Sequence, residues 1–200
     1  MPRKPAPGTR DRILDTAARL FYDHGIHAVG QQQVVEECGC GKNLLYREFP
    51  SKDELVVAYL ERKRREWATN FATTIRPFAG DPAAQLVALV QDAADRVAEP
   101  GYRGCPFQNV HAEFPDPEHP ANRISVEHRA EILSALRNLA EEAGASDPQT
   151  LAGRVLLIVD GVYANGALLG SHGASAAAVE FAREVVRAAV GTGTAASAPA

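Results

Sequence analysis

The sequence has little cysteine and no long uninterrupted apolar run, and each shortage excludes a class of protein. Its 200 residues include 3 cysteines, Cys38, Cys40 and Cys105, without the C-x-x-C or zinc-finger spacing. The simplest interpretation is an intracellular protein with reduced thiols, in which Cys38 and Cys40 are packing residues. No apolar run approaches the ~20 residues that cross a bilayer, and no charged-then-apolar leader opens the chain. We therefore expect a cytoplasmic protein with no membrane partner.

Catalytic and cofactor motifs are also missing. The chain has no glycine-rich phosphate loop, no H-E-x-x-H and no G-x-S-x-G elbow. Adjacent acids such as Glu141 and Glu142 fit a solvated helix face better than a general acid–base pair. We therefore expect no enzyme, no cofactor and no metal site. Residue types that bind metal do occur, at spacings that match no zinc module, at Cys105, His111, Glu113, His119 and His128.

Charge is unevenly distributed along the chain. The formal net charge is −4 at neutral pH. Residues 1–66 carry 12 Lys/Arg against 10 Asp/Glu, a net of +2, whereas residues 67–200 carry 9 against 15, a net of −6. Because a polyanion responds to the local field, the acidic total does not exclude DNA as a partner.

Apolar residues recur at helical spacing along most of the chain, with no convincing strand or repeat. The pattern predicts an all-α protein with an N-terminal three-helix helix-turn-helix domain and a C-terminal helical domain. Thr9 is predicted as the N-cap of the first helix, and Ser51 as that of a long fourth helix with Glu54 in a capping box. The predicted segments are a flexible basic arm (1–8), a DNA-binding domain (9–55), a ligand-binding and dimerisation domain (56–190) and a disordered tail (191–200).

Two short helices joined by a tight turn are predicted within residues 31–49. QQQVVEEC is followed by the break Gly39-Cys40-Gly41 and then by KNLLYREFPSK. Such a pair, with polar and basic side chains on its second helix, suits the DNA major groove. Residues 9–55, with TRDRILDTAARLFYDHG, VVEECG and KNLLYREFPSKDEL, resemble the DNA-binding region of TetR-family repressors. The resemblance implies a repressor that binds a palindromic operator as a dimer and is released by a small-molecule effector.

The polar residues of this region divide into phosphate contacts and base contacts. Lys42 opens the recognition helix, Tyr46 lies one turn later and Lys52 begins the next helix. These three can position the protein on phosphates. An arginine suits guanine and an amide suits adenine. Base readout is therefore expected from Asn43, Leu44 and Arg47, with help from Gln32 or Gln33.

The sequence departs from the family pattern at four positions. Gly30 and Gly41 stand where Ser or Thr usually caps the second and third helices. Leu44 replaces a small hydroxyl residue, and Gln31 replaces an apolar one. Two alternatives therefore stay open: a small-molecule-binding dimer without specific DNA recognition, and a nonspecific architectural DNA binder. The acidic remainder of the chain counts against the second.

The stretch 148–170 is apolar almost all round, which predicts a buried helix. Together with the apolar face of the last helix it predicts a homodimer formed through the last two helices, since groove-reading proteins of this type engage two half-sites. Packing within one chain is the alternative. Small residues that would let another helix approach closely are Gly161, Ala164, Gly166, Ala167 and Gly170.

An effector pocket requires an apolar cavity with few polar groups. Asp160, within LLIVDGVY, must either meet a partner such as an arginine or face a wet pocket. Cys105 opens a segment, CPFQNVHAEF, that resembles a signature in one branch of the family, and a nearby helix start would lower its thiol pKa. Cys105 is therefore either a redox or electrophile sensor or a buried small residue. The candidate effector contacts are Trp67, Phe71, Tyr102, Cys105, Phe107, Asn109, His111, Asp160 and Tyr163.

Overall fold

The structure, a computed structural model, describes residues 8–170 and 173–191 and contains no strand within them. The all-α prediction is confirmed. Most of the predicted arm and tail lie outside the described residues. The helices are α1 (Thr9–His24), α2 (Gln31–Cys38), α3 (Lys42–Glu48), α4 (Lys52–Ile75), α5 (Pro82–Val97), α6 (Pro106–Glu113), α7 (Pro120–Glu142), α8 (Pro148–Leu169) and α9 (Ala178–Gly191), with short 3-10 turns at Arg76–Phe78 and Ala174–Ala177.

Two predicted helix starts have different outcomes. The prediction of Thr9 as an N-cap is wrong: the cap of α1 is Gly8, whose φ of 78° is a left-handed conformation that glycine adopts readily. Thr9 is instead the first helical residue and is buried. The prediction for Ser51 is confirmed, because its Oγ accepts a hydrogen bond from the Glu54 amide N–H at 3.1 Å.

The chain divides into two compact units. The first unit comprises residues up to Arg65 together with Pro106–Glu127, and the second comprises Glu66–Cys105 together with the residues from His128 onward. The first unit therefore holds the predicted DNA-binding segment and, in addition, α6 and the start of α7. The functional division predicted after residue 55 stays a prediction.

In the first unit, each of the first four helices buries its apolar side. Val34 of α2 and Leu45 of α3 are fully buried, and Phe49, just after α3, is 1% exposed. Phe21 of α1 meets Tyr59 of α4 edge to face, with ring centroids 5.8 Å apart. This packing fixes α3 against the other helices by its apolar side, which leaves its polar side outward.

In the second unit, α5, α8 and α9 pack on one another around a common core. By length and composition α8 could cross a membrane, but a core helix passes the same test, and α8 contacts both neighbours. Its burial is one-sided: Val155 and Val162 are buried, whereas Leu157 is 71% exposed. In the single chain only the side of α8 that faces the core is covered, so burial of this helix on all sides stays a prediction.

The small residues of α8 do not share one environment. A Cβ added to Gly166 would overlap both methyl groups of Val97 in α5, whereas one added to Gly161 would meet no atom within 4 Å. Gly166 thus serves packing within the chain, which was the alternative to a dimer seam. Gly161 lies on an open part of the helix.

Candidate DNA-binding surface and effector region

The recognition helix α3 separates its polar from its apolar residues. Leu45 lies in the core of the first unit and anchors the helix. Because the helix is short and its apolar side is occupied, every other side chain reaches outward or along the surface. The residues predicted to contact DNA that are exposed on α3 are Lys42, Asn43, Tyr46 and Arg47.

Local contacts hold these side chains only weakly. The Lys42 Nζ lies 5.9 Å from the centroid of the Tyr46 ring, within the range of a cation–π contact. The Arg47 Nε lies 3.6 Å from Glu48 Oε1 in an exposed pair. Exposed contacts of this kind contribute about 0–1 kcal/mol, so a phosphate or a base can readily replace them.

Helix α2 and Leu44 supply the less open members of the predicted surface. Gln32 is exposed and donates from Nε2 to Glu36 Oε1 at 2.9 Å, whereas Gln33 and Leu44 are half-buried. Gln31 is half-buried too, and its Nε2 atom is buried without a hydrogen-bond partner among the described residues. A buried donor without an acceptor lowers the free energy of unfolding, as expected where an amide replaces an apolar residue.

Lys52 stands at the start of α4 and is half-buried. Burial lowers the pKa of Lys52, while the nearby carboxylates of Glu113 and Asp53 partly offset the change by raising it. A DNA phosphate would act in the same direction as those carboxylates. The position therefore suits a cation that becomes better stabilised when DNA binds.

The turn between α2 and α3 carries a disulfide. Cys38, the last residue of α2, is bonded to Cys40 across Gly39, and the Cys40 amide N–H lies 3.2 Å from Cys38 Sγ. The prediction that both are reduced packing residues is therefore wrong, although Cys40 is buried. The physical reason lies in Gly39, whose left-handed φ of 63° ends α2 and turns the chain so that the two side chains meet.

Counting thiols tests this disulfide directly. Cys105 lies outside it and retains its thiol. Iodoacetamide added to the denatured, unreduced protein is expected to give one adduct in the intact mass, and three after prior reduction. In Cys105→Ser the expected counts are zero and two. Three adducts without reductant would show that Cys38 and Cys40 are free thiols and not a disulfide.

The aromatic candidates of the second unit form two groups. The Trp67 ring lies 5.2 Å from Phe71 and 5.0 Å from His128, centroid to centroid. The Tyr102 ring lies 6.1 Å from that of Tyr163. All four candidate residues are half-buried, and Phe71, Tyr102 and Tyr163 pack on the core of the unit. The rings are thus packed on their neighbours and only partly exposed, and their role as effector contacts stays a prediction.

Asp160 of α8 pairs with Arg129 of α7. The Arg129 Nη1 donates to Asp160 Oδ1 at 2.6 Å and Nη2 donates to Oδ2, so the pair is bidentate. This hydrogen bonding raises the pKa of Arg129. An arginine partner was one of the two expected environments of Asp160. Burial raises the pKa of Tyr163, and the adjacent Cys105 adds to that effect.

Three predicted effector residues belong to the other unit. Phe107, Asn109 and His111 all lie on α6, in the first unit. Phe107 is buried and the other two are exposed, and the His111 Nδ1 lies 3.2 Å from Asn122 Nδ2. As effector contacts these three stay a prediction.

Sequence patterns give no sign of the role that Glu113 has in the first unit. Its Oε1 accepts the Ile26 amide N–H at 2.9 Å, and its Oε2 accepts that of His27 at 2.6 Å. These partners are 87 and 86 residues away in sequence, beyond the reach of any local spacing rule.

No group of three or more His, Cys, Asp or Glu side chains is arranged to hold a metal ion in the described parts of the chain.

An apolar groove of about 630 Å³ runs along the open side of α8 and α9. Leu157 and Phe181 stand beside it, 71% and 54% exposed. Contiguous exposed apolar surface is typical of a site that another molecule covers. The principal lining residues are Leu157, Ile158, Gly161, Val162, Phe181 and Val185.

Comparison with known proteins identifies the family. The sequence model of the bacterial regulatory proteins of the tetR family matches residues 13–59. A TetR-family transcriptional regulator from Streptomyces coelicolor, with a crystal structure, is 32% identical over 90% of this chain and 95% of that chain, with a TM-score of 0.86. The chain belongs to the TetR family. This TetR-family member is thus a DNA-binding helix-turn-helix transcriptional regulator and not an enzyme.

More distant relatives agree. The HTH-type transcriptional regulator LmrA of Bacillus subtilis is 24% identical over 162 residues, 80% of this chain and 85% of LmrA. A transcriptional regulator from Saccharomonospora viridis, solved in complex with choline, shares the fold at 21% identity, with a TM-score of 0.71 and coverage of 92% of this chain and 95% of that one. TetR-family regulators bind DNA and small-molecule effectors and form dimers.

Proposed function

We propose that this TetR-family regulator is a cytoplasmic repressor that binds a near-palindromic operator as a homodimer and leaves it when a small-molecule effector binds. The supporting observation is the division of α3, which buries Leu45 and exposes Lys42, Asn43 and Arg47. A helix held by its apolar side with cationic and amide groups outward suits the major groove. The proposal involves no cofactor and no membrane partner.

In this function the predicted DNA contacts have two roles. Lys42, Tyr46 and Lys52 contact phosphates and set the position of the protein on the duplex. Arg47 and Asn43 read base edges, and Leu44 can contact a thymine methyl group. Gln32 and Gln33 on α2 support the base contacts.

Single substitutions separate the two roles. Lys42→Ala is expected to weaken binding to every duplex and to reduce the slope of log affinity against log salt by about 1 per subunit, hence about 2 for the bound dimer. Arg47→Ala is expected to lower discrimination at its base pair by about tenfold, within the range of one bidentate contact. Fluorescence-anisotropy titrations on a selected site and its single-base variants, at several salt concentrations, measure both.

Arg137→Ala is the matched control, since it removes an exposed positive charge from the second unit. It should leave the salt slope and the base preference unchanged. Unchanged binding in both Lys42→Ala and Arg47→Ala would remove the assignment of α3 as the reading helix.

The proposed function is tested by selecting DNA sites from a random duplex pool with the purified protein at near-physiological salt. An inverted repeat with half-sites about one helical turn or more apart is the expected result. If no motif emerges while small-molecule binding persists, the alternative of a ligand-binding dimer without specific DNA recognition is favoured. A steep salt slope with no preferred site would indicate the nonspecific binder instead.

The effector is proposed to bind in the second unit. The proposed contacts in this unit are the half-buried rings of Trp67, Phe71, Tyr102 and Tyr163, together with Cys105 and with Asp160, which pairs with Arg129. The choline complex of the Saccharomonospora relative supports a small ligand in this fold. Effector binding lowers DNA affinity by the ratio of its affinities for the free and DNA-bound states. Phe107, Asn109 and His111 are further candidates on α6.

The homodimer is proposed to form through α8 and α9. The groove that they share is apolar and exposed in the single chain, and a second copy would supply an identical surface to cover it. Two copies are also what two half-sites require.

A further inference from the structure

We propose that Glu113 is a positioning residue for DNA binding. Its carboxylate restrains the turn between α1 and α2, and this turn sets the positions of α2 and α3. Glu113 lies at the end of α6, outside the segment 13–59 that matches the family model. The inference rests on the proposed DNA recognition and adds to it a residue that the helix-turn-helix pattern does not contain.

The carboxylate satisfies two consecutive backbone donors in that turn. Each Glu113 oxygen accepts one amide N–H, from Ile26 at 2.9 Å and from His27 at 2.6 Å. Ile26 is 1% exposed, so its amide has little access to water. Hydrogen bonds to a charged acceptor are about twice as strong as neutral ones. The pair therefore restrains the turn at two neighbouring points.

The contact is reciprocal, because the turn also binds the main chain of α6. The His27 Nε2 lies 2.8 Å from the Glu113 carbonyl oxygen, which can only accept, so Nε2 is the donor. The His27 ring lies 4.6 Å from the Phe114 ring, and Phe114 stacks on His119 at 4.4 Å. Side-chain and main-chain contacts thus fix the turn to the end of α6 together.

Glycine at position 25 makes room for this arrangement. Gly25 ends α1 with a φ of 85°, a conformation that other L-residues rarely adopt. A Cβ there would lie 3.3 Å from Glu113 Oε1. The close approach of the carboxylate to the backbone therefore depends on a residue without a side chain.

The turn is where a small displacement affects DNA recognition. The turn ends at Gly30, the N-cap of α2. Because glycine has no side chain, the start of α2 has no capping hydrogen bond from its N-cap residue. Gly41, the N-cap of α3, also lacks one. Because the side-chain caps that usually fix the starts of these two helices are absent, their positions depend more strongly on a restraint that precedes α2.

Glu113→Gln tests the inference in the full-length protein. The amide is isosteric but turns an NH2 group toward one of the two N–H donors, so one hydrogen bond is lost and a donor meets a donor. We expect about tenfold weaker binding to the selected inverted repeat and a thermal midpoint lowered by only a few degrees. Binding to a nonspecific duplex should not weaken, because the variant removes a negative charge that acts on the phosphate-contacting Lys52. Hydrogen exchange followed by mass spectrometry should show faster exchange confined to a peptide that covers residues 25–28.

Glu118→Gln is the matched control, because it removes the same charge from a carboxylate that is 88% exposed and lies in the same unit. It should change neither affinity nor exchange. Equal operator affinity and equal exchange in Glu113→Gln and the parent would overturn the inference while leaving the proposed function intact. Loss of both specific and nonspecific binding, with a midpoint lowered by about ten degrees or more, would also overturn it in favour of a merely structural role. If the parent selects no site, the proposed function fails, and unchanged exchange in the variant would then separately overturn the restraint of the turn by Glu113.

Discussion

Replacing Phe181 by arginine is expected to convert the proposed dimer to a monomer and to reduce affinity for a two-half-site operator by about 100-fold or more. Phe181 is 54% exposed in the single chain and borders the groove between α8 and α9. A positive charge at the centre of an apolar interface would be desolvated without a partner. Two linked half-site contacts would then become independent ones, and their combined affinity would be lost.

Light scattering after size exclusion and operator titration measure this effect together. Phe181→Leu keeps an apolar side chain at the same position and should remain dimeric with near-parental affinity. Because Phe181 is already exposed, the arginine variant should fold. A dimeric Phe181→Arg with parental operator affinity would place the subunit contact elsewhere on the surface.

Gly166→Ala is expected to destabilise the second unit by about 2–3 kcal/mol, in the range of overpacked cores. The added methyl group would overlap Val97, which is 4% exposed and has little room to move. Either the valine leaves its rotamer or α8 moves away from α5. Both changes disturb the contact between α5 and α8, two of the helices that form the core of this unit.

Gly153→Ala, on the same helix, is the control for this substitution. A Cβ at Gly153 would meet no atom within 4 Å, so alanine should stabilise the helix by about 0.5–1 kcal/mol. Urea unfolding at one fixed protein concentration compares the two, since dimerisation links stability to concentration. Equal stability of the two variants would show that α8 and α5 are not in tight contact at Gly166.

Local pattern was sufficient to predict the helices and the exposed side of α3. Leu45 and Phe49 recur at helical spacing, so the outward direction of Lys42 and Arg47 follows from the period alone. Ser51 was predictable for the same reason, because a capping residue acts only three positions away. The prediction for Thr9 was wrong because Gly8, in a left-handed conformation, is the N-cap. The sequence alone does not show which of two neighbouring residues caps the helix.

The remaining features depend on contacts that spacing does not encode. The Cys38–Cys40 bond follows from the conformation of Gly39, not from a recognised cysteine motif. From the sequence, Glu113 was noted only as a residue type that can bind metal. Its hydrogen bonds to the α1–α2 turn could not be predicted, because its partners lie far away in sequence. The division of the effector candidates between two units arises likewise, because α6 packs with residues that precede it by many positions.

The discontinuity of the first unit affects how the protein is made. Its last segment, Pro106–Glu127, follows the intervening part of the second unit. At about 5–20 residues per second, the 48 residues from Glu66 to Glu113 take the ribosome about 2–10 s to add. During that interval the nascent helix-turn-helix has left the ribosome or is leaving it without the carboxylate of Glu113, so a chaperone or protease meets it with the α1–α2 turn unrestrained.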